Sequence, residues 1–287
     1  MGKIIVIGSA SIDLVVQTEI LPEGGETVMG KSFFTNPGGK GANQAVAAAR
    51  LSNEVYMIGA VGDDDNGKQI LSNLEQNNVN TTYMDIIENE KSGTAHITLF
   101  DDDNRIIVVP AANNYVTAES VLPKLENFSA GDIIVMQHEI PESTIKDVVD
   151  YAIDHDMKVI LNPAPYRKLA NTIIDKVTWL TPNETESELL FDNQVDGALK
   201  AYPHKLIVTK GASGAMYYSD SQQLVEGYKK QVVDTTGAGD TFNGALAVAL
   251  IENKPLEQAV AFANLAGSYS VTGLGAQSAM PYRKDLE

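Results

Sequence analysis

The chain has 287 residues, and its 21 Lys and Arg against 38 Asp and Glu give a formal net charge of −17. Affinity for a polyanion depends mainly on clustered basic side chains, so this charge argues against a nucleic-acid-binding protein. The sequence has no Cys, which excludes disulfides, thiolate metal centres and a cysteine nucleophile. Because no signal peptide is recognisable and no apolar run reaches about 18 residues, we expect a cytoplasmic protein without a membrane span.

Short β-branched runs alternate with longer helix-like stretches along the chain. The runs predicted as buried strands are Ile4–Ile7, Val55–Ile58, Ile133–Met136, Val159–Leu161, Val177–Leu180 and Leu206–Thr209. The predicted helices are Ala42–Arg50, Gly67–Gln76, Ala118–Asn127, Pro141–His155, Glu184–Leu190, Ala238–Ile251 and Leu256–Tyr269. Strands that alternate with helices of this length indicate βαβ units, so we expect an α/β fold with a mostly parallel sheet.

Two segments, about 14–34 and 94–109, interrupt this alternation. The four strands predicted within them are Leu14–Gln17, Thr27–Phe34, Thr94–Phe100 and Arg105–Val109, the last two flanking a turn at 101–104. We expect these strands to form a small β-sheet lid over one edge of the core. No repeat or linker is visible in the sequence, so we expect residues 1–287 to be a single domain that carries this lid.

The strongest chemical signal is the segment Asp234–Gly244, which opens an apolar helix-like stretch. The small residues at 237–239 allow backbone N–H groups to converge on an anion at a helix N-terminus. Asp240 falls in the first turn, where the helix dipole stabilises its ionised form. This combination suits phosphoryl transfer, because the carboxylate can accept the proton of an attacking hydroxyl. The alternative interpretation is a glycine-rich turn with a helix-capping Asp.

A second glycine-rich segment, Asn36–Ala45, leads into an Ala-rich helix. Its paired glycines allow close approach of the backbone to a ligand. Lys40 and Asn43 supply donors that suit hydroxyl oxygens. The alternative is a tight turn that serves only to pack the helix against the sheet.

Together, Gly38–Asn43 and Asp234–Gly244 resemble the two signature motifs of the ribokinase branch of the PfkB carbohydrate-kinase family. The resemblance covers nearly the whole chain in order, through Gly8–Asp13, Gly62–Asp64, Met136–Glu139, Asn162–Pro165, Thr181–Glu186, Thr209–Gly214 and Gly275–Gln277. It implies a three-layer ribokinase-like α/β fold with a mostly parallel sheet flanked by helices and a small β-sheet lid. It also implies ATP-dependent phosphorylation of D-ribose at the 5-hydroxyl by direct in-line transfer, and a homodimer formed through the lid.

The resemblance further implies roles for individual residues. Asp240 matches the catalytic base, and Gly237, Ala238 and Gly239 match the anion hole. The positions that match sugar-binding residues are Ser11, Asp13, Gly39, Lys40, Asn43, Glu139 and Asp240. The positions that match nucleotide-binding residues are Asn183, Thr209, Gly211, Gly214, Gly239 and Asn264.

Two cation sites are also implied by the resemblance. Asn183 and Glu186 match an element that organises Mg²⁺ beside the ATP phosphates, mainly through water. The positions that match a monovalent-cation site, normally filled by K⁺, are Asp234, Thr236, Ser270, Gly273 and Gly275. Two cations would offset the negative charge of ATP in this acidic protein.

The chain departs from the family pattern at two positions. Ser11 stands where Asn is usual, so one contact to a sugar hydroxyl is shortened or replaced by water, and 2-deoxyribose becomes an alternative substrate. Ala279 stands where some relatives have a side-chain oxygen near the cation, so Ser278 or water could complete that site. A nucleoside kinase and a non-catalytic sugar-binding protein are further alternatives. The intact Asp240 and Gly237–Gly239 argue against the non-catalytic one.

Overall fold

The computed structural model describes residues 2–52, 54–101 and 103–287. The strands in chain order are β1 Ile4–Ile7, β2 Ser11–Gln17, β3 Ser32–Gly38, β4 Val55–Gly62, β5 Asn80–Ile87, β6 Gly93–Phe100, β7 Asp103–Val109, β8 Ile133–Met136, β9 Lys158–Leu161, β10 Trp179–Leu180, β11 Ile207–Thr209, β12 Gly214–Tyr218 and β13 Gln222–Glu226. The helices are α1 Lys40–Leu51, α2 Asp65–Gln76, α3 Ala118–Leu125, α4 Glu142–Asp154, α5 Asn171–Lys176, α6 Glu184–Leu190, α7 Val195–Ala201, α8 Ala238–Ile251 and α9 Leu256–Ser270.

The centre of the molecule is a parallel six-stranded sheet in the order β10-β9-β8-β1-β4-β5. The central strand β1 alternates its side chains between two cores. Ile4 and Val6 pack on one face with α1, α8 and α9, and Ile5 and Ile7 pack on the other with α3, α4 and α5. Burial on both faces explains why this strand reads as a continuous β-branched run. The predicted three-layer α/β fold is confirmed.

A second, antiparallel sheet, β11-β12-β13, continues the parallel sheet beyond β10. The two sheets are joined by isolated parallel bridges from Leu180 to Leu206 and from Asn183 to Thr209. The sequence did not predict β5, β12, β13, α5 or α7. In β13, exposed residues alternate with half-buried ones, so neither face of the strand is strongly apolar. The sequence therefore shows no clear alternation of apolar and polar residues from which this strand could be predicted.

The four-stranded sheet β3-β2-β6-β7, which we call the lid sheet, is built from the two predicted insertions. The prediction of a strand at Thr27–Phe34 is wrong in position, because β3 begins at Ser32 and runs through Pro37 to Gly38. Proline is tolerated there because β3 is an edge strand that pairs only with β2. Strands β6 and β7 form the predicted hairpin, and Asp102 in its turn lies outside the described residues.

No helix in the described ranges is long and apolar enough to span a membrane.

Candidate active site

Asp240 lies in the first turn of α8, where that helix packs against α1. Its carboxylate accepts hydrogen bonds from two side-chain amides: Asn43 Nδ2 lies 3.0 Å from Oδ2, and Gln44 Nε2 lies 3.0 Å from Oδ1. Only 6% of Asp240 is exposed. A buried carboxylate without such donors would cost several kcal/mol of desolvation. Both carboxylate oxygens are therefore held in a defined direction.

The turn before Asp240 contains two glycines, and within it the backbone N–H of Ala238 donates to the carbonyl of Thr235 at 3.2 Å. Gly237 caps α8 with a φ of 78°, and a Cβ there would lie 2.6 Å from the carbonyl oxygen of Ala276. At Gly239, by contrast, a Cβ would point into open space. The first N–H groups of a helix lack partners in the helix and carry the positive end of its dipole. The helix start beside Asp240 is therefore closely packed at Gly237 and open at Gly239.

Four acids and one ammonium group interact electrostatically where the predicted sugar-binding residues lie. Burial, together with the negative charges of Glu139 and Asp240, raises the pKa of Asp13 to about 7. The charge of Asp240 raises the pKa of Lys40 against the opposing effect of burial, and Glu139 and Glu186 add to it. The predicted sugar-binding residues are therefore close enough to act on one another electrostatically. They offer several acceptors and one strong donor to a polyhydroxylated ligand.

The start of α1 brings this group together. Gly39 has a φ of 88°, and a Cβ there would lie 2.9 Å from the backbone nitrogen of Ser11. Glu139 Oε2 accepts hydrogen bonds from the backbone N–H of Lys40 at 2.9 Å and from Ser9 Oγ at 2.5 Å. A carboxylate at the beginning of a helix is stabilised by the helix dipole. The glycine turn therefore places Ser11, Lys40 and Glu139 side by side.

Asn183 and Glu186 form a reciprocal cap at the start of α6. Asn183 Oδ1 accepts from the backbone N–H of Glu186 at 2.8 Å, and Glu186 Oε2 accepts from that of Asn183 at 2.9 Å. Burial raises the pKa of Glu186, although the Asn183 N–H and the charge of Lys40 act against it. Within the described ranges, no group of three or more His, Cys, Asp or Glu side chains forms a candidate metal site.

Three predicted nucleotide-binding residues lie where the parallel sheet passes into the antiparallel one. The backbone N–H of Thr209 donates to the carbonyl of Pro182 at 2.9 Å, which brings Thr209 beside Asn183. Gly211 follows with a φ of 53° and starts a short 3₁₀ turn. These three predicted residues, Asn183, Thr209 and Gly211, therefore lie at one end of the sheet.

Gly214 and Asn264 are positioned by packing around β12 and β13. A Cβ on Gly214 would lie 2.1 Å from the carbonyl oxygen of Val225, so only glycine fits there. Asn264 on α9 donates from Nδ2 to the same carbonyl at 2.9 Å. In the structure Asn264 joins α9 to the antiparallel sheet, and Gly214 allows β12 to lie close to β13. The contact of either residue with a nucleotide stays a prediction.

Asp234 joins the two loops of the predicted monovalent-cation site. Its Oδ1 accepts from Thr236 N at 2.9 Å and from Thr236 Oγ1 at 2.7 Å, and its Oδ2 accepts from Gly275 N at 2.8 Å. Burial alone would raise the pKa of Asp234, but these hydrogen bonds lower it below its ordinary value. Ser270 turns its hydroxyl to a carbonyl of its own helix at 2.9 Å. A Cβ on Gly273 would lie 2.8 Å from a methyl group of the following turn.

A cleft of about 830 Å³ separates the lid sheet from the core and is lined by Asp13, Asn36, Asp234, Thr236 and Gly275, among others. Asp13 lines this cleft from the lid sheet, and Asp234 and Thr236 line it just before the helix start at Gly237. Binding hydroxyls next to a phosphoryl group is the task of a carbohydrate kinase. The model of the pfkB family of carbohydrate kinases matches residues 1–283, and the chain belongs to this family.

Individual relatives cover the chain almost from end to end. It is 50% identical over 289 residues to the ribokinase of Bacillus subtilis, with 100% of this chain and 99% of that protein covered. It is 36% identical over 291 residues to the deoxyribokinase of Salmonella typhi, with 97% and 95% covered. The solved structure of Arabidopsis thaliana ribokinase complexed with ribose and ATP matches with a TM-score of 0.90 at 34% identity, with 100% and 98% covered.

Two buried glutamines near Asp240 are absent from the predicted site. Gln44 has no exposed surface and Gln277 is 7% exposed. Gln44 donates to Asp240 directly, and Gln277 Nε2 donates to Asn43 Oδ1 at 2.8 Å. One feature of the sequence could have revealed Gln44: it is a polar residue inside the Ala-rich stretch that forms α1. A buried amide at such a position needs hydrogen-bond partners, which points to a polar site nearby.

Proposed function

We propose that this protein transfers the γ-phosphoryl group of ATP to the 5-hydroxyl of D-ribose, giving ribose 5-phosphate and ADP. The observation that carries the proposal is the buried Asp240 beside the helix start at Gly237–Gly239, with Asp13 and Lys40 close enough to interact with it electrostatically. The ribokinase names of close relatives support the choice of sugar, and the ribose and ATP complex of one structural neighbour supports both substrates.

Asp240 acts as the general base in this proposal. It accepts the hydroxyl proton while the sugar oxygen bonds to the γ-phosphorus and the bond from that phosphorus to ADP breaks, without a phosphoenzyme. The amides at Gly237–Gly239 stabilise the negative charge on the transferred group. The fixed direction of the carboxylate, set by Asn43 and Gln44, supports this role.

The sugar hydroxyls bind to Asp13, Lys40, Asn43 and Glu139, at the turn formed by Gly39. These residues supply both acceptors and donors, as hydroxyl groups require. Ser11 lies against the same turn and is 6% exposed. Because its side chain is shorter than the Asn that is usual there, 2-deoxyribose is the second candidate substrate, and a nucleoside is a more distant one.

The residues present fit a water-coordinated Mg²⁺ with ATP. Mg²⁺ usually takes one or two carboxylates, keeps several waters and bonds to substrate phosphates. Glu186, capped with Asn183 and in the field of Lys40 and Asp240, is such a single carboxylate. When bound, the ion neutralises phosphate charge. Thr209, Gly211, Gly214 and Asn264 bind the nucleotide in this proposal.

A monovalent cation fits the loops joined by Asp234. The donor set combines an ionised carboxylate with the turn at 270–275, whose backbone offers carbonyl oxygens. In this proposal K⁺ occupies the site formed by Asp234, Thr236, Ser270, Gly273 and Gly275. Its charge steadies the neighbouring anion hole.

The lid sheet offers a surface for a homodimer. Strand residues Val15, Phe34, Ile97 and Ile106 line the cleft, so their neighbours on each strand point to the other face. On that outer face Phe33 is 64% exposed and Ile107 is 70% exposed. Apolar side chains exposed together on one face commonly mark a protein interface.

A coupled assay of ADP release tests the proposed function. It compares D-ribose, 2-deoxyribose, fructose and several nucleosides, with and without K⁺, for the wild type and for Asp240→Asn. We expect D-ribose to give the highest kcat/KM, K⁺ to increase the rate, and the variant to lose turnover. A higher kcat/KM for 2-deoxyribose would shift the assignment to the second candidate, and turnover with none of the sugars would contradict both.

A further inference from the structure

The two groups that hold Asp240 are both carboxamides, which can present either an N–H or a C=O to a neighbour. Only the N–H orientation of Asn43 and Gln44 stabilises a carboxylate, because the carbonyl orientation would bring two acceptors together. Each amide therefore needs a further partner that fixes which way it points. The structure contains such a partner for both of them.

Asn43 is oriented by Gln277. Gln277 Nε2 donates to Asn43 Oδ1 at 2.8 Å, so the Asn43 amide must turn its N–H groups towards Asp240. Gln277 is itself oriented, because Asn73 Nδ2 donates to its Oε1 at 2.8 Å. Asn43 and Gln277 thus each accept a hydrogen bond on the amide oxygen and donate one from the amide nitrogen. The hydrogen bonds therefore run in a single series from Asn73 through Gln277 and Asn43 to Asp240.

The far end of this chain is a group that can only donate. Arg50 Nε donates to Asn77 Oδ1 at 2.8 Å. This leaves Asn77 Nδ2 to donate to the backbone carbonyl of Asn73 at 2.8 Å and, in a longer contact of 3.4 Å, to Asn73 Oδ1. Arg50 also donates from Nη1 to the backbone carbonyls of Gln277 at 2.7 Å and Met280 at 2.8 Å. The guanidinium therefore fixes both the orientation of Asn77 and the position of the segment that carries Gln277.

Gln44 is oriented from the opposite side by a group that can only accept. The backbone carbonyl of Thr181 accepts from Asn162 Nδ2 at 2.9 Å, so Asn162 Oδ1 must face Gln44. Gln44 Nε2 donates to that oxygen at 3.1 Å as well as to Asp240. Gln137 Nε2 donates to Gln44 Oε1 at 2.8 Å. The amide of Gln44 is thus fully paired in only one orientation.

We propose that Gln44 and Gln277 are positioning residues that fix the two amide donors on Asp240 and so aim its carboxylate at the attacking hydroxyl. This inference rests on the proposed role of Asp240 as the base. Gln277 acts through Asn43, although the two lie more than 200 residues apart in the sequence. The C-terminal segment that follows Gly275 thereby becomes part of the catalytic machinery.

The test uses substitutions of similar shape that cannot donate a hydrogen bond. Gln277→Glu removes the donor to Asn43 Oδ1 and attracts the Asn43 N–H groups away from Asp240, and Gln44→Met removes the direct donor. For each variant we expect kcat to fall about tenfold to hundredfold, the effect of losing one hydrogen bond to a charged group. KM for ATP should change less than twofold. Gln76→Glu, exposed on α2, is the control for the added charge and should match the wild type.

The same substitutions in an Asp240→Ala background separate positioning from a general structural role. If the glutamines act through Asp240, neither substitution lowers the residual single-turnover rate of that background further. Two outcomes would overturn the inference and leave the proposed base intact. One is an equal loss of rate from the glutamine substitutions in both backgrounds. The other is a wild-type kcat in both glutamine variants while Asp240→Ala is strongly impaired. Normal turnover of Asp240→Ala would instead refute the base itself. If Gln277→Glu does not fold, Gln44→Met alone decides between these outcomes.

Discussion

At the scale of single residues, the electrostatics of the site depend on Asp13. Its carboxyl is buried near Glu139 and Asp240, and these effects together raise its pKa to about 7. Lys40, which stays protonated because of Asp240 and its neighbours, supplies the positive charge of the group. A group that titrates near neutral pH at the proposed sugar-binding position would make sugar binding sensitive to pH.

Ribose binding should therefore tighten as the pH rises through about 7, because sugar hydroxyls donate best to the ionised form of Asp13. The measurement is KM for ribose from pH 6 to 8, and Asp13→Asn should remove most of its pH dependence. Stability should change in the opposite sense. Because its pKa is raised in the folded state, Asp13 contributes fully to the free energy of unfolding of the ligand-free protein below about pH 4. This contribution is lost as the pH rises through about 7. A KM that rises with pH in the wild type would contradict this account.

At the scale of one element, the start of α8 combines two glycines with different requirements. Gly237 has a left-handed backbone and a carbonyl oxygen of Ala276 in the place of a Cβ. Gly239 has neither restriction, and the space beside it is open. The first glycine is thus needed for the fold of the turn, and the second leaves room for a ligand.

Alanine substitutions should separate these two needs. Gly237→Ala should lower the free energy of unfolding by about 1–2 kcal/mol, since it strains a left-handed residue. Gly239→Ala should leave it unchanged or raise it by up to about 1 kcal/mol, because Ala is the better helix former. It should still lower kcat/KM for ATP by narrowing the open helix start. Urea unfolding and steady-state kinetics measure both effects. Wild-type kinetics for Gly239→Ala would contradict the anion-hole role.

The same scale shows what the sequence could and could not predict. Strands β1 and β8 match their predicted bounds because both of their faces are buried, and α8 matches because its apolar run starts at a glycine turn. The predicted end of strand β3 came too early because Pro37 reads as a strand breaker unless its edge position is known. The motifs could predict Asp240 and Lys40 as site residues because the chemical context of each is contiguous in the chain. The contact of Gln277 with Asn43 depends on distant segments meeting, which no local pattern encodes.

At the scale of the whole molecule, the net charge of −17 opposes the approach of an anionic substrate such as ATP. Recognition of phosphates must then come from local features, which in our proposal are the helix start at Gly237–Gly239 and two cations. The lid sheet also has an apolar outer face, on which Phe33 and Ile107 are exposed, and in our proposal this face forms the homodimer interface.

Charge placed on that outer face should prevent the proposed homodimer. Ile107→Asp should convert the protein from dimer to monomer, because an interface core does not tolerate an unpaired carboxylate. Light scattering after size-exclusion chromatography measures the mass. Ile86→Asp is the matched control, since Ile86 is 58% exposed on β5 outside the lid sheet, and it should remain dimeric. A monomeric wild type, or a dimeric Ile107→Asp, would contradict the lid interface.

The most direct test of our central claim is single-turnover transfer from ATP to D-ribose by Asp240→Asn, alongside calorimetric binding of ribose. The substitution keeps the shape of the side chain and removes the proton acceptor. We predict ribose affinity close to that of the wild type, with transfer slower by about 10²–10⁴-fold, the usual contribution of a general base. Transfer at the wild-type rate would contradict the assignment of Asp240 as the base.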